Sequence, residues 1–166
     1  MFDTNIFNRI LDKSLDIELK DLYYVTHIQK DELMADPNEE HREALLKTFN
    51  LIQSNSIPTE SAIWGVSKWD ECKWSDEDNE TTIPSESFIL NVSKFGKSKL
   101  SDGDLYSKLL YSLNKSKKRS SNIQDALIAE TTIKNEIILV TCDKILKDVV
   151  KIYLGNVITL EEFLLI

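Results

Sequence analysis

Four acids stand where a chain can do chemistry. Asp3 follows the short apolar start Met1-Phe2, and Asp143 follows the β-branched run Ile137-Ile138-Leu139-Val140-Thr141 with only Cys142 between them. Asp125 falls in the first turn of the helical pattern that enters that run, and Glu32 lies just beyond the aromatic stretch Leu22-Tyr23-Tyr24-Val25-Thr26. Ligands of a parallel α/β sheet bind beyond the carboxyl ends of its strands. If these runs are such strands, the four carboxylates share one rim although they span 140 positions, from 3 to 143. A cluster of like charges has a use once a cation neutralises it, and hard oxygen ligands select Mg²⁺ or Mn²⁺ over zinc. One or two such ions polarise a phosphate, lower the pKa of an attacking water and stabilise the leaving oxygen, which suits phosphodiester hydrolysis. Each acid also has an ordinary structural role open to it. Asp3 and Asp143 can cap the helices they precede, Asp125 can complement a helix dipole, and Glu32, with Asp31 beside it, can belong to a solvated face.

The elements that must position these groups follow from apolar spacing. Ile6, Phe7, Ile10 and Leu11 predict a helix entered through Asp3 or Thr4. A short helix is expected over Gln29 to Ala35. Asp36, Pro37 and Glu39 then supply an N-cap, a first-turn proline and a capping-box partner for a helix carrying Leu45, Leu46, Phe49 and Ile52. Leu105, Leu109, Leu110 and Leu113 mark a further helix. Asn122 is read as the cap of a helix with Ile123, Leu127, Ile128 and Ile133. Ile137–Thr141 is the best strand signal; Ile145, Leu146, Val149 and Val150 form a helical stripe, Val157-Ile158-Thr159 a short strand, and Glu161 to Leu165 a closing helix. Strands alternating with helices imply βαβ crossovers and a mainly parallel sheet.

Composition bounds the function. The 166 residues suit one domain, and 20 bases against 28 acids give a net charge of −8. That total argues against a non-specific nucleic-acid coat. Cys72 and Cys142 cannot form a disulfide framework, and with only His27 and His41 there is no zinc ligand set. A reduced, cytoplasmic setting is expected. No run approaches the ~18 apolar residues that span a bilayer, and a charge at the third residue argues against a secretory leader.

The middle is organised differently. Residues 63–78 align with 89–104 at an offset of 26, with eight identities in sixteen positions. Residues 60–86 carry eight acids against Lys68 and Lys73, net −6, whereas 94–119 carry eight bases against Asp102 and Asp104, net +6. Trp64, Trp69 and Trp74 recur every five residues, which suits core packing or, beside so many acids, a surface for a protein partner.

The opening FDTNIF and the stretch NIQDALIAETTIKNEIILVTCDKIL resemble the two Asp-bearing signatures of PIN-domain nucleases, and YYVTHIQKDEL resembles that family's second strand and helix. The resemblance covers about residues 1–53 and 121–166. It implies one domain over 1–166 with an expanded middle at about 57–104. The fold it implies is a three-layer α/β/α arrangement around a central, mainly parallel sheet of about five strands. It also implies Mg²⁺- or Mn²⁺-dependent cleavage of single-stranded RNA, as in the toxin of a toxin–antitoxin pair, with an antitoxin-type protein partner and a homodimer as family habits. Asp3, Glu32, Asp125 and Asp143 become the catalytic and metal-binding set, with Asp31 as the alternative to Glu32. Thr4, Asn5 and Thr141 become groups that support those ligands or touch substrate. Lys115, Lys117, Lys118 and Arg119 become candidates to grip flanking phosphates, a solvated helix end being the plainer reading. The first strand is shorter, and the middle longer, than the family pattern.

Two other classes compete. One is a PIN-like binding or scaffold module without catalysis. The other is a haloacid-dehalogenase-like phosphatase with Asp3 as nucleophile, a class that wants an acid where this chain has Asn5.

Overall fold

Asp3 ends the extended start of the chain and caps α1 (Thr4–Asp12), accepting from the Thr4 amide at 2.8 Å. This computed structural model describes residues 1–13, 23–52, 57 and 105–165. Ile6, Phe7 and Ile10 share the buried face of α1, as their spacing requires. α2 (His27–Met34) opens on a capping box. The Thr26 hydroxyl accepts from the Ile28 amide at 3.2 Å, and Gln29 Oε1 accepts from the Thr26 amide at 2.8 Å. α3 (Glu39–Ile52) starts on a different cap from the one expected. Asn38 Oδ1 accepts from the His41 amide at 3.1 Å, while Asp36 Oδ1 accepts from Asn38 and shapes the turn before it.

α4 (Leu105–Ser116) buries Tyr106, Leu109 and Leu113. α5 (Asn122–Lys134) also departs from the expected capping. Ser121 holds the N-cap position without a side-chain bond, and Asn122 is buried inside the helix. Its amide donates to Asn114 Oδ1 and to the Lys117 carbonyl, both at 2.8 Å, so it ties the 117–121 connection to both helices. β1 (Leu139–Val140), α6 (Lys144–Ile152), β2 (Val157–Ile158) and α7 (Leu160–Phe163) complete the described chain.

The expected central sheet of about five strands is not what forms. Helix makes up 65% of the described structure and strand 6%, and the sheet has two strands, β1 and β2, paired in parallel with Leu139 opposite Val157. Each apolar run gives most of its length to something else. Asp3 already caps a helix, so the first run contributes one bridge, Phe2 to Val140, flanked by bonds of 3.0 and 2.9 Å. Thr26 is committed to its capping box, so the aromatic run contributes an isolated bridge position at Val25, whose carbonyl accepts from Ile57. Ile137 bonds back to Thr132, which leaves two residues of the β-branched run for pairing.

Successive side chains of a strand point to opposite faces, and that alternation divides the core. Met1, Leu139 and Val157 face an apolar cluster built with α4, α5 and α6. Phe2 and Val140 face a second cluster with α1, α3 and Leu160. There Phe2 stacks on Tyr23 at 5.2 Å and meets Phe163 edge-on at 5.3 Å. The small sheet is thus covered on both sides, and Asp3 and Asp143 lie beyond the carboxyl ends of its extended segments. The repeat, the three tryptophans and the −6 segment lie outside the described residues, as does the first part of the +6 stretch, residues 94–104. Among the described residues, no helix is long and apolar enough to cross a membrane.

Candidate functional site

Two helix caps build one wall. Asp3 directly follows Phe2, which bridges to Val140, Asp143 lies three residues beyond the end of β1, and each holds the first turn of the next helix. Thr141 joins them. Its hydroxyl donates to Asp3 Oδ2 at 2.6 Å and accepts from the Asp143 amide at 3.0 Å. Asn5 closes the same network, donating to Asp3 Oδ2 and accepting from the Cys142 amide at 3.2 Å. Asp3 is 3% exposed, so its carboxylate takes these bonds away from bulk water. Burial pushes its pKa up to about 6 against the pull of the Thr141, Thr4 and Asn5 bonds, and the Asp143 charge adds to the rise.

Glu32 comes in from α2. The Thr4 hydroxyl donates to Glu32 Oε2, and α2 itself is fixed by Gln29, whose amide donates to the Phe2 carbonyl at 3.0 Å. Glu32, rather than Asp31, is therefore the acid bonded to the Asp3 wall. Burial raises its pKa too, Asp3 adding to the rise and the Thr4 bond opposing it.

Asp125 projects from the first turn of α5 and receives no side-chain hydrogen bond from the described residues. Burial and then the charges of Asp3, Glu32 and Asp143 push it up to about 8, with Arg119 acting in the opposite direction. Four acids from four distant parts of the chain thus act on one another. Asp143 is the exception in sign. Burial would raise it, but the Arg119 bond and the amides of Leu146 and Ile145 outweigh that and hold it below the ordinary carboxylate value.

The basic candidates divide. Arg119 Nη1 donates to Asp143 Oδ2 at 2.6 Å. Lys115 in the last turn of α4, and Lys117 and Lys118 beyond it, are exposed and make no ion pair with the acids. Gln29 is the positioning residue the sequence reading passed over, and its signal was present: Thr26-His27-Ile28-Gln29 has capping-box spacing.

The donor set is carboxylate oxygen throughout, which fits a hard divalent cation. The raised acids also state the electrostatic need for one. As the side chains stand, however, no group of three or more His, Cys, Asp or Glu among the described residues could hold a metal ion. Both Asp3 oxygens, both Asp143 oxygens and Glu32 Oε2 are bonded within the chain. Against known families, curated proteins and solved structures, the chain has no significant match.

Proposed function

We propose that the chain is a Mg²⁺- or Mn²⁺-dependent phosphodiesterase whose substrate is single-stranded RNA. The observation that carries this reading is the bonded wall in which Thr141 joins Asp3 to Asp143 and Thr4 joins Glu32 to Asp3, with Asp125 raised by burial and by the charges of all three. Those four would hold the cation, which when bound polarises the phosphate and makes an attacking water more acidic. The chain's own groups set the rest. Thr141 and Asn5 fix the Asp3 carboxylate, Thr4 fixes Glu32, and the amides of Ile145 and Leu146 fix Asp143. The Asp125 carboxyl, least tied of the four, holds a proton near neutral pH and gives it up when positive charge arrives.

RNA as substrate, an antitoxin-type partner and a homodimer rest on the resemblance of the two Asp-bearing signatures to PIN-domain nucleases, not on the sheet. Exposed Lys115, Lys117 and Lys118 would meet flanking phosphates. The phosphatase alternative loses ground because Asn5 holds Asp3 with its amide nitrogen and the Cys142 backbone with its oxygen, and so supplies no second acid.

Incubation of the purified protein with single-stranded RNA and DNA, with and without Mg²⁺, tests the reading. Cleavage that needs the metal and disappears in Asp125→Asn is the expected result. Metal-dependent stabilisation without any cleavage would indicate the binding-module alternative instead.

A further inference from the structure

Tyr106, Leu109 and Leu113 carry the buried face of α4, and its exposed positions include Lys108, Tyr111 and Lys115. Their spacing of i, i+3 and i+7 lines these three up along one side of the helix. From Leu105 to Gln124 the sequence has five bases and no acid. Lys117 and Lys118 continue the run as exposed residues, and Arg119 brings it to Asp143. α3 is the contrast. It packs on the other side of the small sheet and exposes Glu39, Glu40 and Glu43.

A row of lysines alone is an ordinary solvated face; Tyr111 makes this one a different kind of surface. It is 69% exposed, at a position between two lysines, whereas Tyr106 and Tyr153 are both used by the fold. The frame that carries it is fixed. Tyr153, at the end of α6, donates to the Lys108 carbonyl at 3.1 Å and meets the Ser112 hydroxyl at 2.9 Å. The Lys117 amide donates to the Leu113 carbonyl at 2.9 Å, and the Lys117 carbonyl accepts from Asn122 at 2.8 Å. α6, packed alongside, exposes Lys144 and Lys151 with Asp148 between them, so the flank does not oppose the charge of α4. Lys108 to Lys115 spans about 10 Å along the axis, room for about three stacked nucleotides at about 3.4 Å each.

We propose that the exposed face of α4 is a docking surface for single-stranded RNA: Lys108, Lys115, Lys117 and Lys118 hold phosphates, and Tyr111 stacks on an unpaired base. The choice of RNA rests on the proposed function, but docking itself uses no metal and none of the four acids. Charge alone gives the opposite preference, because a duplex carries about one phosphate per 1.7 Å of axis against about 3.4 Å for one strand. An aromatic ring reverses it, since the base faces it needs are covered in a duplex and open in a single strand. Tyr111 is thus the residue that sets strand preference. The total charge of −8 does not forbid docking, because screening over about 8 Å at physiological salt leaves this face to act through its own charges.

Fluorescence anisotropy in EDTA tests the surface without metal or cleavage. The probe is a labelled oligouridine of about twelve nucleotides, alone and paired to oligoadenylate, with oligodeoxyuridine as the DNA arm. The unmodified protein should bind the single RNA strand more tightly than the duplex. Tyr111→Ala should lose about tenfold on the single strand and little on the duplex, while Tyr111→Phe should stay within about twofold. Lys108→Ala and Lys115→Ala should each weaken binding and lower the log–log salt slope on the single strand by about 0.7. Lys47→Ala, which removes an exposed base from α3, should do neither. All these positions are exposed, so an unchanged melting temperature shows that each variant is folded.

Tyr111→Ala binding the single strand as tightly as the unmodified protein would overturn the proposal. Equal losses in Lys47→Ala would reduce the effect to total charge and also overturn it. Tighter binding of oligodeoxyuridine would overturn the choice of RNA. Binding of a synthetic peptide of residues 60–86 in place of oligouridine would make the face a protein-docking surface and overturn the proposal as well. Each of these results leaves Mg²⁺-dependent cleavage, measured separately, free to stand. Tyr111-dependent docking without any cleavage would keep the surface while removing the phosphodiesterase reading.

Discussion

Asp3 and Asp143 do the same local job with opposite electrostatic results. Each ends an extended segment, each caps a helix, and each is bonded to Thr141. Asp3 is pushed up to about 6 and Asp143 is held below the ordinary value. Capping cannot account for the difference, because both have it. Burial and the guanidinium do. Asp3 is almost wholly shut off from water and is bonded by neutral donors. Asp143 has a side chain 21% exposed and meets Arg119. A cap that serves structure alone gains from being charged, since it faces the positive end of a helix. An acid kept partly neutral at such a position, beside two other raised acids, is spending that gain on proximity to them.

The largest expected effect comes from Asp125, the acid whose side chain takes no hydrogen bond among the described residues. Asp125→Asn is isosteric with the neutral carboxyl that prevails near neutral pH, so melting should be unchanged or slightly higher. Mg²⁺-dependent cleavage should fall about a thousandfold or more. Full activity in this variant would end the comparison, because the raised acids would then have no shared purpose. Asp3→Asn is next in size. The new amide brings two N–H donors to a position where the Thr4 amide, Thr141 hydroxyl and Asn5 amide already donate. A buried donor without an acceptor costs about 1–3 kcal/mol. A denaturation midpoint that did not move would show that the Asp3 wall rearranges freely.

Much of this edge was legible in the sequence, because caps and apolar spacing are local. Asp3, Asp143, the buried faces of α1 and α6, and the alternation of helices with extended segments can all be read within a few residues. The sheet could not be read that way. Whether Ile137–Thr141 gives five paired residues or two depends on what lies beside it, and its neighbours are a helix cap at Asp3 and a return bond from Ile137 to Thr132. Family resemblance filled that gap with about five strands, and the described residues form a sheet of two. Asn122 shows the same limit in miniature. Its type and position suggested a cap, but its side chain found Asn114 and Lys117 from inside the helix. Arg119 looked like one of four similar bases, and only the packing of the 117–121 connection separates it from the lysines.

Acidity offers a further way to sharpen the contrast. Asp125 at about 8 and Asp3 at about 6 are both above the ordinary aspartate value of 3.8, so these two groups hold more protons in the folded state than in the unfolded chain across that range. Their contribution to stability is complete below about pH 4 and is lost as pH rises through about 6 and then about 8. Asp143 runs the other way, contributing above its ordinary titration range and losing that contribution in acid. The Met1 amino group, which burial lowers to about 5, works in the opposite direction between about pH 5 and 8. In EDTA the decline due to Asp125 is therefore read as a difference between the unmodified protein and Asp125→Asn, amounting to no more than about 1.4 kcal/mol per pH unit. Asp125→Asn should gain stability relative to the unmodified protein as pH rises from about 5 to about 8. Parallel pH profiles for the two proteins would contradict the raised acid.

Asp143→Asn has a small expected effect on the fold and bears most directly on the comparison. Asparagine caps a helix about as well as aspartate, so its side-chain oxygen can keep the bonds to Ile145 and Leu146. What disappears is the charge that Arg119 meets, and a partly exposed pair of this kind contributes roughly 0–1 kcal/mol. Thermal stability should move by less than about 1 kcal/mol, well under the cost of Asp3→Asn. Under the proposed function the same substitution should nevertheless weaken Mg²⁺ binding, because it removes a proposed ligand while leaving the helix end intact. If Asp143→Asn instead destabilised the protein as much as Asp3→Asn, the Arg119 pair would be a structural clamp. The two caps would then differ only in how deeply they are buried.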